Sequence, residues 1–218
     1  MRITHLGHAC LLVEMADTRL LIDPGTLATD LAPASGLDAI LVTHQHADHL
    51  DPARLPGLVS ANPGALVLTD PQSVAVLRDL GVRARAHDGT AVVVGGVSIT
   101  PVGEIHALIH EDIARIANVG VRLQAEGEPT LFHPGDALDA EPGDVDVLAF
   151  PLQAPWQRSR DMTAFLRRVA APQAVPIHDG LLTPSGRGLY LTQAATLGHP
   201  GTAIRDLAGA GPVEFLRV

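Results

Sequence analysis

Thr43-His44-Gln45-His46-Ala47-Asp48-His49 is the stretch on which the reading of this chain turns. Its three histidines and one aspartate follow directly on the apolar run Asp38 to Thr43. A run of that length and hydrophobicity is expected as a buried strand whose C-terminal end delivers the cluster to a surface crevice. A structural histidine is usually single and satisfied by one hydrogen bond. Several imidazoles on one loop would be desolvated and would repel one another when protonated. A divalent cation removes that conflict, because neutral imidazole is a common ligand and a carboxylate adds the anionic oxygen that Zn, Mn or Fe accepts. In an extended segment His44 and His46 point the same way and can grip one ion, while Asp48 and His49, beyond a turn, can reach a second beside it.

Outward from this run, Arg2 to Leu6, Ala9 to Met15 and Arg19 to Asp23 read as a strand meander with a turn at Ala16-Asp17-Thr18. A helix is expected from Pro52 to Ser60 after Asp51, a strand from Ala65 to Thr69, and a helix from Pro71 to Leu80 ending at Gly81. Gly95-Gly96 joins Ala91 to Val94 with Val97 to Val102 as a hairpin. Further strands are expected at Val119 to Ala125, Thr130 to Phe132, Asp146 to Phe150 and Ala174 to Ile177, with helices over Asp161 to Ala170 and Leu189 to Leu197. Two halves of similar content suggest two facing sheets with helices outside, without a residue-level repeat.

At 218 residues, 46% hydrophobic and 18% charged, the chain suits one layered domain spanning residues 1–218. The balance of 15 Lys+Arg against 24 Asp+Glu, net −9, with 3% aromatics, argues against a nucleic-acid partner and for a confined small-molecule substrate. Cys10 is the only cysteine, which excludes an internal disulfide and a Cys-based metal site and fits a reducing cytosol. The first apolar run, Ala9 to Val13, is too short and too late for a signal sequence, and no 18-residue apolar stretch follows. A cytoplasmic protein with no membrane partner is expected, and a homo-oligomer is left open.

The run at 43–49 resembles the T-H-x-H-x-D-H signature of the metallo-beta-lactamase superfamily. Matches to the family's later ligands follow in order: His106 in Gly103-Glu104-Ile105-His106, Asp136 in His133-Pro134-Gly135-Asp136, and His178 in Pro176-Ile177-His178-Asp179. The resemblance implies a four-layer αββα sandwich of the α/β class, two facing mixed sheets with outer helices. It implies that His44, His46 and His106 hold one metal, that Asp48, His49 and His178 hold another, and that Asp136 bridges them. Leu6-Gly7-His8-Ala9 and Leu21-Ile22-Asp23-Pro24-Gly25 are similar to the branch that includes ascorbate-6-phosphate lactonase. There Asp23 would orient a ligand histidine through its other ring nitrogen, or it only begins a turn before Pro24. His8 would line the pocket or be a hydrogen-bonded histidine near the hairpin.

Two adjacent divalent ions, zinc first and Mn or Fe next, would leave a shared hydroxide as nucleophile at neutral pH. Asp48 could also manage the proton. The implied activity is hydrolysis of a small lactone, ester or phosphodiester; the alternatives are a metal-binding protein without turnover and an iron-dependent oxidoreductase on the same fold. Asp136 and the absence of a thiolate ligand speak against antibiotic hydrolysis. Gln45 stands where the di-iron oxygen- and nitric-oxide-reducing relatives carry an acid. Substrate recognition would fall to His110, Glu111, Asp112 and Arg115 after His106, to His133, and to Trp156, Arg158 and Arg160. Any one of these arginines is either an anion anchor or an ordinary solvated charge.

Overall fold

Alternation along the strands sets the layers. In the computed structural model, which describes residues 1–217, the meander is β1 (Arg2–His5), β2 (Leu11–Met15) and β3 (Thr18–Ile22), paired antiparallel. β4 (Ala39–Val42) and β5 (Leu66–Thr69) add in parallel with α1 (Leu55–Ala61) between them. α2 (Ser73–Asp79) then leads to β6 (Arg85–Ala86), also parallel. The second sheet repeats this plan. β7 (Val92–Val94), β8 (Val97–Val102), β9 (Gly120–Gln124) and β10 (Leu131–His133) run antiparallel. β11 (Val147–Pro151), β12 (Gln173–Ile177) and β13 (Ala203–Ile204) follow in parallel, crossed over by α3 (Ser159–Val169) and α4 (Pro184–Leu197). β14 (Val213–Glu214) pairs with β1 and completes the first of two seven-stranded sheets, ordered β14-β1-β2-β3-β4-β5-β6 and β13-β12-β11-β10-β9-β8-β7.

Both faces of the parallel strands are covered, which is why β4 is apolar throughout. Ala39 and Leu41 join Leu20, Ile22, Val121, Val147, Val175 and Ile177 in the core between the sheets. Ile40 and Val42 pack with Leu55 and Leu77 beneath α1 and α2, and on the far side Leu148 and Phe150 pack with Phe165, Leu166 and Ala194 beneath α3 and α4. Three apolar layers between four layers of structure make the αββα sandwich. Each fully buried large side chain contributes about 1.5–3 kcal/mol to it.

Element boundaries differ from expectation where side chains intervene. Asp51 takes the amides of Ala53 and Arg54, so the chain turns there and α1 starts at Leu55 rather than Pro52. In α3, Asp161 accepts from the Arg158 amide at 3.1 Å, which places it inside a capping box rather than at the helix start. α4 begins at Pro184, not Leu189, because Thr183 caps it by accepting from the Gly186 amide at 3.2 Å. β6, β13 and β14 are two residues each, too short to show a period. Among the described residues no helix is long and apolar enough to cross a membrane.

Candidate metal centre

β3 and β4 end side by side, and Asp23 stands where β3 stops. Its amide donates to Leu41 O and its backbone is left-handed at φ +48°. One carboxylate oxygen accepts the Thr43 amide at 2.8 Å; the other accepts the Thr43 hydroxyl at 2.8 Å and His49 Nδ1 at 2.7 Å. With its proton committed to Asp23, the Thr43 hydroxyl is left to accept from His44 Nδ1 at 3.0 Å. Asp23 therefore fixes His49 directly and His44 through Thr43. It also opens the turn, since Gly25 N–H donates to Asp23 O. Gly25 is required there, because a Cβ would lie 1.8 Å from Asp48 O.

The second sheet supplies single donors from separate loops. His106 Nδ1 donates to Ala107 O at 2.7 Å, and Ala107 N–H donates to Asp136 O. His178, also left-handed at φ +59°, donates Nδ1–H to Gln153 O at 2.9 Å. The Asp136 amide donates to Asn118 Oδ1 at 2.9 Å, and Asn118 Nδ2 donates to Pro134 O. Gly135 lies at φ +59°, with Thr43 Oγ1 and Asn118 Oδ1 only 2.6 and 2.4 Å from where a Cβ would sit. In each of these histidines Nδ1 is committed to its acceptor and Nε2 is left as the nitrogen buried toward the other donors.

The donors fall into two groups able to hold an ion, His44, His46, His106 and Asp136, and His8, Asp48, His49 and His178, with ligand atoms within 4.8 Å of one another in each. Asp136 reaches both: His106 and His178 Nε2 lie 3.3 Å from its Oδ2, and His49 Nε2 lies 3.1 Å from its Oδ1. His49, His106 and His178 Nε2 and Asp136 Oδ1 are nevertheless buried without a well-formed hydrogen bond. Each such orphan costs about 1–3 kcal/mol. Atoms that converge without bonding fit a cation between them.

The charges are mutually dependent. Burial opposes a charge on Asp136, yet His49 and His178 hold its carboxyl well below the usual range. Burial likewise opposes protonation of His49, but Asp136 and Asp23 outweigh it and hold the imidazole well above its ordinary value. His178 is pushed up to about 9 against burial, by Asp136 and Asp48. Burial, then His49, keeps His44 well below normal, and burial lowers His46 and His8 as well.

Residues 2–178 match the beta-lactamase superfamily domain. The chain belongs to this superfamily. It is 43% identical over 201 residues to Protein Rv0786c of Mycobacterium tuberculosis, covering 90% of this chain and 93% of that one. It is 30% identical over 236 residues to a UPF0173 metal-dependent hydrolase of Azorhizobium caulinodans, covering 96% and 98%. The isothiocyanate hydrolase from Delia radicum gut bacteria shares the fold at a TM-score of 0.72 and 18% identity over 99% of both chains. CmlA, a diiron beta-hydroxylase from Streptomyces venezuelae, shares it at 0.68 and 17%, covering 100% of this chain and 54% of that one. With its curated relatives, the chain is a metal-dependent hydrolase.

Other residues expected at this superfamily site divide by position. Trp156 lies over it: the indole N–H donates to Asp136 Oδ2 at 3.1 Å, and the ring meets His106 and His178 edge-on at 5.8 and 6.4 Å. Arg115 donates from Nε and a terminal nitrogen to His106 O at 2.8 and 2.5 Å, so its guanidinium braces the His106 loop rather than standing free for an anion. His133 is fully buried, donates to Ala9 O and accepts from Gly135 N–H, which places it under the Asp136 turn and not in a pocket. His110, Glu111 and Asp112 are exposed and outside both groups; His110 Nδ1 accepts from the Asp112 amide. Arg160 is exposed beside Asp161, and Arg158 opens α3. Asn118 and the carbonyls of Ala107 and Gln153 were not foreseen, and no residue pattern marks them.

Proposed function

We propose that the two groups hold two divalent cations, zinc before manganese or iron, and that the enzyme cleaves a lactone, ester or phosphodiester bond in a small molecule. The observation that supports this best is the convergence of three buried imidazole nitrogens and one carboxylate oxygen that bond nothing else. His44, His46 and His106 would hold one cation, and Asp48, His49 and His178 the other. Asp136, in reach of histidines from both groups, would lie between them. Donors of imidazole and carboxylate without thiolate suit these metals. Bound there, the cations supply a water of lowered pKa and an electrophile for the oxygen under attack.

The chain's own groups prepare that chemistry. Asp23 and Thr43 fix imidazoles of both groups, and Trp156 holds Asp136 by Oδ2. Asp48, with a side chain 28% exposed, is the carboxylate of the two groups nearest solvent, and although burial opposes its charge, His178 and His8 hold its carboxyl well below the usual range, so it stays an anionic donor. The net charge of −9 disfavours a polyanionic substrate such as nucleic acid. Metal analysis of protein prepared without added metal, followed by turnover on panels of lactones, esters and phosphodiesters, tests the reading. About two Zn or Mn per chain with hydrolysis is expected; a single redox-active Fe with oxygen uptake would overturn it. His46→Ala and Asp136→Ala should each abolish metal-dependent turnover with the circular dichroism unchanged, and wild-type rates in either would show that the site is misassigned.

A further inference from the structure

His8 lies among the donors of the second group, with Nε2 3.2 Å from Asp48 Oδ2 and its ring 4.0 Å from that of His178. By distance alone it would be a fourth ligand. Its other nitrogen decides differently. His44, His49, His106 and His178 each give Nδ1–H to an acceptor: the Thr43 hydroxyl, Asp23, Ala107 O and Gln153 O. His8 Nδ1 instead accepts a hydrogen bond, from the Gly180 amide at 3.0 Å. A nitrogen that accepts from a backbone N–H carries no hydrogen of its own, so the neutral ring must carry it on Nε2, where Asp48 accepts it.

Turning the ring over would set carbons against both the Gly180 amide and Asp48 and forfeit both bonds. The amide cannot easily yield either. A Cβ at Gly180 would already lie 3.1 Å from His8 Nδ1. The preceding residue, Asp179, is held by Arg187 Nε at 2.8 Å, and Arg187 is held in turn by both oxygens of Asp206 at 2.7 Å. His8 O accepts the His178 amide at 2.9 Å and His5 Nε2 at 2.8 Å, and His8 is left-handed at φ +55°. The residue is over-determined in a conformation that costs energy by itself.

We infer that His8 is not a ligand of the second cation but a positioning residue, donating Nε2–H to Asp48 and seating the His178 ring. This deepens the two-cation reading above and rests on it. It reserves the second group's coordination to Asp48, His49, His178 and the shared Asp136, so that His8 does not occupy a place the reacting molecule could take.

Long-range 1H–15N correlation on the zinc-loaded, 15N-labelled full chain reads the tautomer directly. His8 should show a proton on Nε2 and none on Nδ1; a proton on Nδ1 with a zinc-shifted Nε2 would overturn the inference. In parallel, His8→Gln, which keeps an amide donor for Asp48, should retain the wild-type zinc content with affinity within about threefold, and His8→Ala should retain the content and weaken binding about 10- to 100-fold. His178→Gln, the ligand control, should lose about one equivalent. Loss of an equivalent in His8→Gln would make His8 a ligand after all. Wild-type protein holding a single zinc would overturn the two-cation reading instead, and the tautomer of His8 would still decide its own case.

Discussion

The first sheet and the second sheet orient their histidines by different means. Asp23, Thr43 and the run from His44 to His49 form one compact piece, in which a single buried carboxylate serves both groups through side-chain hydrogen bonds. His106, Asp136 and His178 come from three separate loops, and the histidines among them are fixed by backbone carbonyls. Side-chain orientation concentrates control in one residue; backbone orientation spreads it over the fold. The two donor groups should therefore fail together when Asp23 is changed, while the second sheet's donors yield only when the chain itself is moved.

Asp23→Ala should be the most damaging change away from the donors. It strands the Thr43 amide and hydroxyl and the His49 Nδ1–H in a fully buried setting, for about 3–5 kcal/mol lost in urea unfolding. Zinc titration of the folded fraction should show both equivalents weakened. A loss confined to one equivalent would break the claim that the carboxylate serves both groups. Gly135→Ala tests the second sheet. A Cβ there presses on Thr43 and Asn118 at a left-handed φ, and a loss of about 1–3 kcal/mol is expected, with weaker zinc binding because Asp136 follows directly. Unchanged stability would mean that the Asp136 turn is softer than the contacts imply.

Asp206→Asn, which reaches the second group only through Arg187 and Asp179, should do least. The Arg187 hydrogen bonds hold the Asp206 carboxyl below its ordinary value against the opposing effect of burial. The lowered folded pKa contributes stability that is present above the unfolded value of about 4 and lost as pH falls through the folded one. With the Asp206 side chain 42% exposed, the pair is worth under about 1 kcal/mol at neutral pH. The difference between variant and wild type should shrink to nothing in acid. A difference that persisted below the folded pKa would assign the effect to packing of α4 rather than to the ion pair.

The same contrast explains what could be read from the amino acids. The 44–49 cluster is legible because its donors are adjacent and follow an apolar strand. His106, Asp136 and His178 have no local signal stronger than a Gly/Pro-punctuated loop, and only the family resemblance drew them in. Asp23 carried two readings, a turn before Pro24 and an orienting carboxylate, which the residues alone could not separate, because the same left-handed residue reverses the chain and bonds Thr43 and His49. Arg115 was legible as a charge near the site but not as a brace, since the choice of a carbonyl over solvent depends on how the 106–116 loop folds back. The mixed sheets followed from strand and helix alternation, whereas the edge strands β6, β13 and β14 exist only because longer neighbours offer them a pairing edge.

Trp156 is the chain's single tryptophan, and its indole spans the gap between His106 and His178 with its N–H on Asp136. All tryptophan emission from this protein therefore originates at one point on the rim of the two donor groups. The centre carries its own lamp, and events there can be followed by light without attaching a label anywhere.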